Sequence, residues 1–227
     1  MKFKFPSIRQ YREVIKEYSK AGYTSKVKII GRPKLHGCNV NICFYEDGTY
    51  TVHGKDRLVT PEENLFGILE WVEERHWLVY ELGRRLKEQI PSLVYPFVAC
   101  FEYAGGHIQS SKCSVYELPE FLMLFQTANI VEEEFQHVLN NFLSFQGLPE
   151  DIMTSADNQL YDVREFGQLE LMLDMVYPEN LTNELADATV AWERECPIAK
   201  YFGVMSDRGE GVVWHCEDNQ DRHLTLS

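Results

Sequence analysis

Residues 39–54, NVNICFY followed by EDGT and YTVHG, constrain the fold more tightly than any other stretch of this 227-residue chain. Val40, Ile42 and Phe44 alternate with Asn39, Asn41 and Cys43, a period of two that only an extended strand with one buried face satisfies. EDGT supplies the turn chemistry that sends the chain back antiparallel, and YTVHG resumes the strand. Upstream, KVKII (26–30) reads as a further strand that leads into GRPKLHGCNV. Lys34 therefore stands at the mouth of an antiparallel sheet, among His36, Gly37 and Asn39, a set able to bind phosphate and metal.

The rest of the chain alternates between the two periods. Ile8, Tyr11, Ile15 and Tyr18 recur at helical spacing over 7–21, with Ser7 and Gln10 as a capping box and Gly22 after the end. Residues 62–90 have helical periodicity and no proline; 92–106 and 120–130 read as strands; an acidic-capped helix is expected around 131–145, before a polar loop with Gly147 and Pro149. Residues 160–176 are mixed, 182–195 helical, and GVVWHCE (211–217) is the last strand. No internal repeat or Gly/Ser linker divides the sequence, so the expectation is one α+β domain, 1–227, of antiparallel sheets flanked by helices.

With 44% apolar and 13% aromatic residues such a domain can fill a core. There is no apolar run of the roughly 18 residues a bilayer span needs and no signal-peptide centre, which places the chain in the cytoplasm with no membrane partner. The six cysteines form no C-x-x-C pair, so they read as reduced thiols, with neither a zinc ribbon nor a redox motif. The net charge of −13 opposes a nucleic-acid partner only on average. Residues 1–36 hold ten of the 22 basic side chains and two of the 35 acidic ones, leaving +8 there and −21 elsewhere. A solvated amphipathic helix accounts for part of that asymmetry; a field that attracts phosphate around Lys34 is the competing account.

K-x-H-G alone is a weak pattern. Two later strand ends add carboxylates beside glycine: Glu102 in FEYAGGHIQ and Glu210 in GEGVVWH. In the order KLHGCN, GKDR…TPEENLFG, FEYAGGHIQ, EFLMLF, GEGVVW, the chain resembles, over roughly 26–217, the ATP-dependent RNA ligases of the phage RNA ligase 2 type, which include the kinetoplastid editing ligases. These are covalent nucleotidyltransferases, like DNA ligases and capping enzymes; His36, two places after the lysine, is the discriminating residue, since the latter two groups generally carry aspartate there.

The resemblance implies a nucleotidyltransferase domain with a nucleotide cleft between its sheets, ATP and Mg²⁺ or Mn²⁺ as cofactors, and RNA with 5′-phosphate and 3′-hydroxyl ends as partner, in phage or host RNA repair. Lys34 would attack the ATP α-phosphorus to form lysyl-AMP; AMP would pass to the RNA 5′-phosphate, and the 3′-hydroxyl would displace it. A lysine amine, with an ordinary pKa near about 10.4, becomes nucleophilic when neighbouring cations and a divalent metal lower that value. By resemblance His36 assists the first step, Asn39 lies near the reacting phosphate or 3′-hydroxyl, and Lys34, Leu35 and Gly37 border the nucleotide. Lys55 and Arg57 would meet phosphate, Glu102 the ribose hydroxyls, Phe125 the adenine, and Glu210 the metal. By periodicity alone Phe125 is core and His36 a loop histidine bonded to backbone.

Three positions depart from the family pattern. Lys55 stands where arginine is usual and gives up bidentate phosphate geometry unless Arg57 supplies it. His215 stands where lysine often ends the fourth motif. The fifth motif, K-x-K, is expected within a few residues of RHLTLS, so the expectation is a domain truncated before that motif or one that has lost it, without the carboxy-terminal RNA-binding domain of many relatives; no lysine follows Lys200 in the sequence to Ser227. The alternatives are a non-catalytic nucleotide- or RNA-binding remnant of the same fold, and a DNA nick ligase, which His36 disfavours.

Overall fold

The computed structural model describes residues 3–5, 10–133, 136–143, 158–206, 208–217 and 225–226. In chain order the elements are β1 (Phe3–Lys4), α1 (Tyr11–Lys20), β2 (Lys26–Pro33), β3 (Cys38–Phe44), β4 (Tyr50–His53), α2 (Ile68–Glu74), α3 (His76–Gln89), β5 (Phe97–Ala104), β6 (Phe121–Glu133) and β7 (Gln136–Leu143). There follow β8 (Leu160–Asp162), β9 (Leu169–Asp174), α4 (Thr182–Arg194), α5 (Pro197–Tyr201), β10 (Val212–Glu217) and β11 (Thr225–Leu226). The chain divides into two compact units: residues 1–6, 36–111 and 116–165 form the first, and 7–35, 112–115 and 166–227 the second.

The first unit is built on a seven-stranded sheet of order β1-β7-β6-β5-β3-β4, with β8 also paired to β6. The hairpin read from 39–54 is β3 and β4, in register Asn41↔His53 and Phe44↔Tyr50. The sheet is mixed rather than purely antiparallel, because β1 runs parallel to β7 and β8 parallel to β6. Both parallel pairs join segments remote in sequence, where no hairpin signal exists to announce them.

Period two now sorts side chains onto two faces. Val40, Ile42, Phe44, Phe97, Ala99, Phe101, Leu122 and Leu124 face a large core shared with Trp71, Leu78, Leu82 and Leu86 from α2 and α3. Cys43, Val98, Cys100 and Ala128 form a smaller cluster on the opposite face. The helical stretch within 62–90 breaks in two at Arg75, whose backbone (φ −112°, ψ 25°) lies outside the helical region. Gly83 on α3 sits against the Phe44 ring; an added Cβ would come within 2.3 Å of it.

The acidic-capped helix expected around 131–145 is overturned. Residues 131–133 continue β6 and 136–143 form β7, paired Ile130↔Leu139, Val131↔Val138 and Glu133↔Gln136. Val131, Val138 and Phe142 fit helical spacing and strand pairing alike; β-branched and aromatic residues favour the strand, and Asn140 and Asn141 are poor helix formers. A cross-strand partner decides such a segment.

The second unit has a four-stranded sheet, β11-β10-β2-β9, in which β2 is antiparallel to both neighbours. Val27 and Ile29 pack with Leu173, Val212, Trp214 and Cys216, together with Val14 and Tyr18 of α1. Helix α1 ends as its sequence announces: Gly22 takes φ 77°, its N–H reaches the Ser19 carbonyl, and Tyr23 N–H reaches Tyr18 O at 3.1 Å. That is the paired closure of a Schellman motif, with the Tyr18 and Tyr23 rings 4.8 Å apart over it. At the other end Glu13 accepts from Gln10 N–H, so the helix is capped at Gln10; Ser7 lies outside the described residues. Among the described residues no helix is long and apolar enough to cross a membrane.

Candidate functional site

In the second unit Lys34 follows directly from β2. Its main-chain N–H donates to Gly211 O at 3.0 Å, and its Nζ lies 3.6 Å from Glu210 Oε2. The antiparallel register that pairs Pro33 with Val212 sets Lys34 opposite Gly211 and so brings the backbone of Glu210, one residue on, close to it. Glu210 is itself set by the glycines on either side. A Cβ at Gly209 would fall 2.1 Å from Trp192 O, and one at Gly211, whose φ is 91°, would fall 2.7 Å from Thr189 Cγ2, so both glycines pack on α4. Gly209 N–H also donates to Glu193 O at 2.8 Å. Both charged side chains stay partly open, Lys34 at 36% and Glu210 at 26% exposure. Leu35 is buried, and the boundary between the units falls between it and His36.

In the first unit the residues after Lys34 are held by the β3–β5 pair. Gly37 N–H donates to Glu102 Oε1 at 3.0 Å, while Gln109 Nε2 donates to Gly37 O at 3.2 Å and to Cys38 Sγ at 3.0 Å. Burial raises the Cys38 thiol pKa; the Gln109 bond works in the opposite direction. A Cβ on Gly37 would stand 2.3 Å from the Tyr103 carbonyl oxygen, which gives the glycine a structural reason of its own. Gly105 and Gly106, at φ 79° and 53°, turn the chain after Glu102 and make the close approach to Leu118, Pro119 and Glu120 that side chains would block.

The alternation on β3 and β5, with the register Asn39↔Glu102 and Asn41↔Cys100, puts Asn39, Asn41 and Glu102 on the face of the smaller apolar cluster. Phe125 joins that face through an irregularity. Phe101 pairs with Leu124 and Cys100 with Gln126, leaving Phe125 as the extra residue of a β-bulge, which redirects a side chain. Half-buried, its ring meets Phe5 edge-on at 5.7 Å. His36 is half-buried as well. Lys55 and Arg57 lie on an exposed turn closed by Gly54 N–H to Arg57 O at 2.8 Å; Arg57 pairs with Glu63 at 3.1 Å, and Lys55 O accepts from Phe5 N–H.

Two residues that the motifs did not single out take part in this frame. Gln109 lies within the quoted FEYAGGHIQ, but its φ of 65° and its hold on Gly37 appear only in three dimensions. Asn41 is fully buried and donates to Asn39; the strand alternation had already placed both on one face. Beside it His53, also fully buried, bonds Thr51 Oγ1 at 2.9 Å, and burial pulls its pKa down to about 4. Among the described residues no group of three or more His, Cys, Asp or Glu is arranged to hold a metal, and no disulfide is formed.

No known protein family and no curated protein matches the chain in sequence. Solved structures do. An apo RNA ligase from Naegleria gruberi aligns over 99% of this chain and 55% of its own, with a TM-score of 0.52 at 13% identity. A structure of Naegleria gruberi RNA ligase with ATP and Mn aligns over 98% and 55%, with a TM-score of 0.51 at 15% identity. Likeness at these identities establishes the fold: the chain has the α+β fold of the matched part of an RNA ligase. It spans about half the length of those neighbours.

Proposed function

We propose that this chain is the adenylyltransferase domain, within 1–227, of an ATP-dependent RNA ligase of the phage RNA ligase 2 type. The observation that carries the reading is the placement of Lys34 beside Glu210 at the paired end of β2 and β10, in a chain with the fold of RNA ligases. Lys34 is the nucleophile: its Nζ gives up a proton and bonds to the ATP α-phosphorus as the bond from that phosphorus to pyrophosphate breaks. AMP then passes to an RNA 5′-phosphate, and an RNA 3′-hydroxyl displaces it.

Asn39 donates to the reacting phosphate and His36 assists the first step. Glu102, whose Oε1 accepts from Gly37 N–H, takes ribose hydroxyls; Phe125 offers its ring to adenine; Leu35 and Gly37 border the nucleotide. Lys55 and Arg57 supply cationic charge to phosphate. Glu210 would hold Mg²⁺ or Mn²⁺, whose contribution is to neutralise polyphosphate charge. A single carboxylate is enough for such an ion when phosphates and water complete its shell.

The test is incubation of the chain with α-labelled ATP and Mg²⁺ or Mn²⁺, followed by denaturation. Label should remain on the wild-type chain and vanish with Lys34→Ala; an unlabelled wild-type chain with both metals overturns the reading. A nicked RNA duplex, single-stranded RNA and nicked DNA, each 5′-phosphorylated, then separate RNA from DNA sealing.

A further inference from the structure

Asn41 sits wholly inside β3, and its Nδ2 donates twice, to Asn39 Oδ1 at 2.6 Å and to the Gly54 carbonyl at 3.0 Å. A main-chain carbonyl can only accept, so the bond to Gly54 fixes which end of the Asn41 amide is nitrogen. The same nitrogen then requires Asn39 to turn its oxygen inward. The Asn39 Nδ2, with its two N–H donors, is thereby directed away from Asn41. A buried asparagine thus decides the polarity of what its half-buried neighbour shows to a ligand: donors, which suit an anionic oxygen, rather than an acceptor, which would repel one.

Satisfying Gly54 alone does not explain this choice of residue. Asn41 Oδ1 has no hydrogen-bond partner among the described residues, so the side chain carries an unmet buried acceptor. Serine or threonine could serve one carbonyl without that penalty, but a hydroxyl has a single proton and would leave one of the two acceptors unserved. What asparagine adds is the second donor. Gly54 is also the first residue of the turn that bears Lys55 and Arg57, so one amide nitrogen links that turn to the strand bearing Asn39.

From this juxtaposition we infer that Asn41 is a positioning residue that sets the Asn39 amide to donate to a substrate phosphate oxygen and ties that setting to the Lys55–Arg57 turn. The inference rests on the adenylyl-transfer reading above. Asn41 touches no substrate; it acts through Asn39.

A double-mutant cycle on the full chain tests it, with Asn39→Ala, Asn41→Ala and the pair, read by the rate of labelling from α-labelled ATP and by calorimetric binding of inorganic pyrophosphate. In the wild-type background Asn41→Ala should slow labelling about tenfold or more and weaken pyrophosphate binding; in the Asn39→Ala background its further effect should be less than about twofold. Equal effects in both backgrounds overturn the inference. Should Asn41→Ala fail to fold, Asn39→Asp serves: it keeps the oxygen that accepts from Asn41 and loses the outward donors. Its pyrophosphate binding should fall about tenfold or more with an unchanged melting temperature; undiminished binding overturns the inference. A wild-type chain that binds pyrophosphate in an Asn41-dependent way but takes no label sinks the ligase reading and leaves the positioning role standing. Labelling with an additive cycle does the reverse, and a chain that neither labels nor binds pyrophosphate overturns both.

Discussion

The Lys34–Glu210 corner and the Gly37–Glu102 corner are built on opposite principles. At the first, two charged side chains meet at 3.6 Å with about a third and a quarter of their surfaces open, and what is fixed is the backbone beneath them. At the second, a glycine is locked between a carboxylate and a carboxamide, with a carbonyl 2.3 Å from where its Cβ would be. Only the first leaves its charged ends room to move, which the bond-forming role proposed for Lys34 would require. The second has no slack, as suits a frame against which a ligand is aligned. A folded chain can therefore divide compliance from rigidity within a few residues of sequence.

That contrast can be broken by mutation. Gly37→Ala should be the most damaging, because its methyl group meets backbone that cannot rotate aside: about 3 kcal/mol of stability lost, read from urea unfolding midpoints. Loss below about 1 kcal/mol would mean the rigid corner yields. Next is pH. His53 has its folded pKa depressed to about 4, below the ordinary value of 6.5. The unfolded chain therefore takes up the proton first, and stability is lost as pH falls below about 6.5, levelling off below about 4. Between pH 7 and pH 5 this amounts to about 2 kcal/mol, and His53→Gln should reduce the pH dependence by that amount. The smallest effect belongs to the compliant corner. Glu210→Gln should change stability by less than about 1 kcal/mol, since the pair it breaks is solvated; a larger loss in the same urea assay would show that corner to be rigid too.

How much of this was legible in the sequence depends on the range of the signal. The β3–β4 hairpin, the Schellman end of α1, and strands β2 and β10 follow from local period and turn residues, and Glu210 beside a glycine was visible because its partner glycines are its chain neighbours. The β6–β7 hairpin was misread because Val131, Val138 and Phe142 satisfy both periods, and only the pairing Val131↔Val138 chooses between them. The parallel edges β1–β7 and β6–β8 had no local signature. Gly37 was flagged for an approach by nucleotide, whereas the backbone of β5 already requires it. Asn41 was placed on the correct face by alternation, but its bond to Gly54 joins residues 13 apart and has no linear trace.

The extra residue at Phe125 has a consequence for how this gene segment can change. Upstream of it, even-numbered side chains such as Leu122 and Leu124 point into the main core; downstream, even-numbered Ala128 points to the other side of the sheet. Parity is thus switched once, in mid-strand. Losing the Phe125 codon would remove the bulge and leave every later side chain on its present side, whereas losing one codon beyond Ala128 would exchange the two sides for the positions that follow, so what this segment tolerates depends on where a letter is lost.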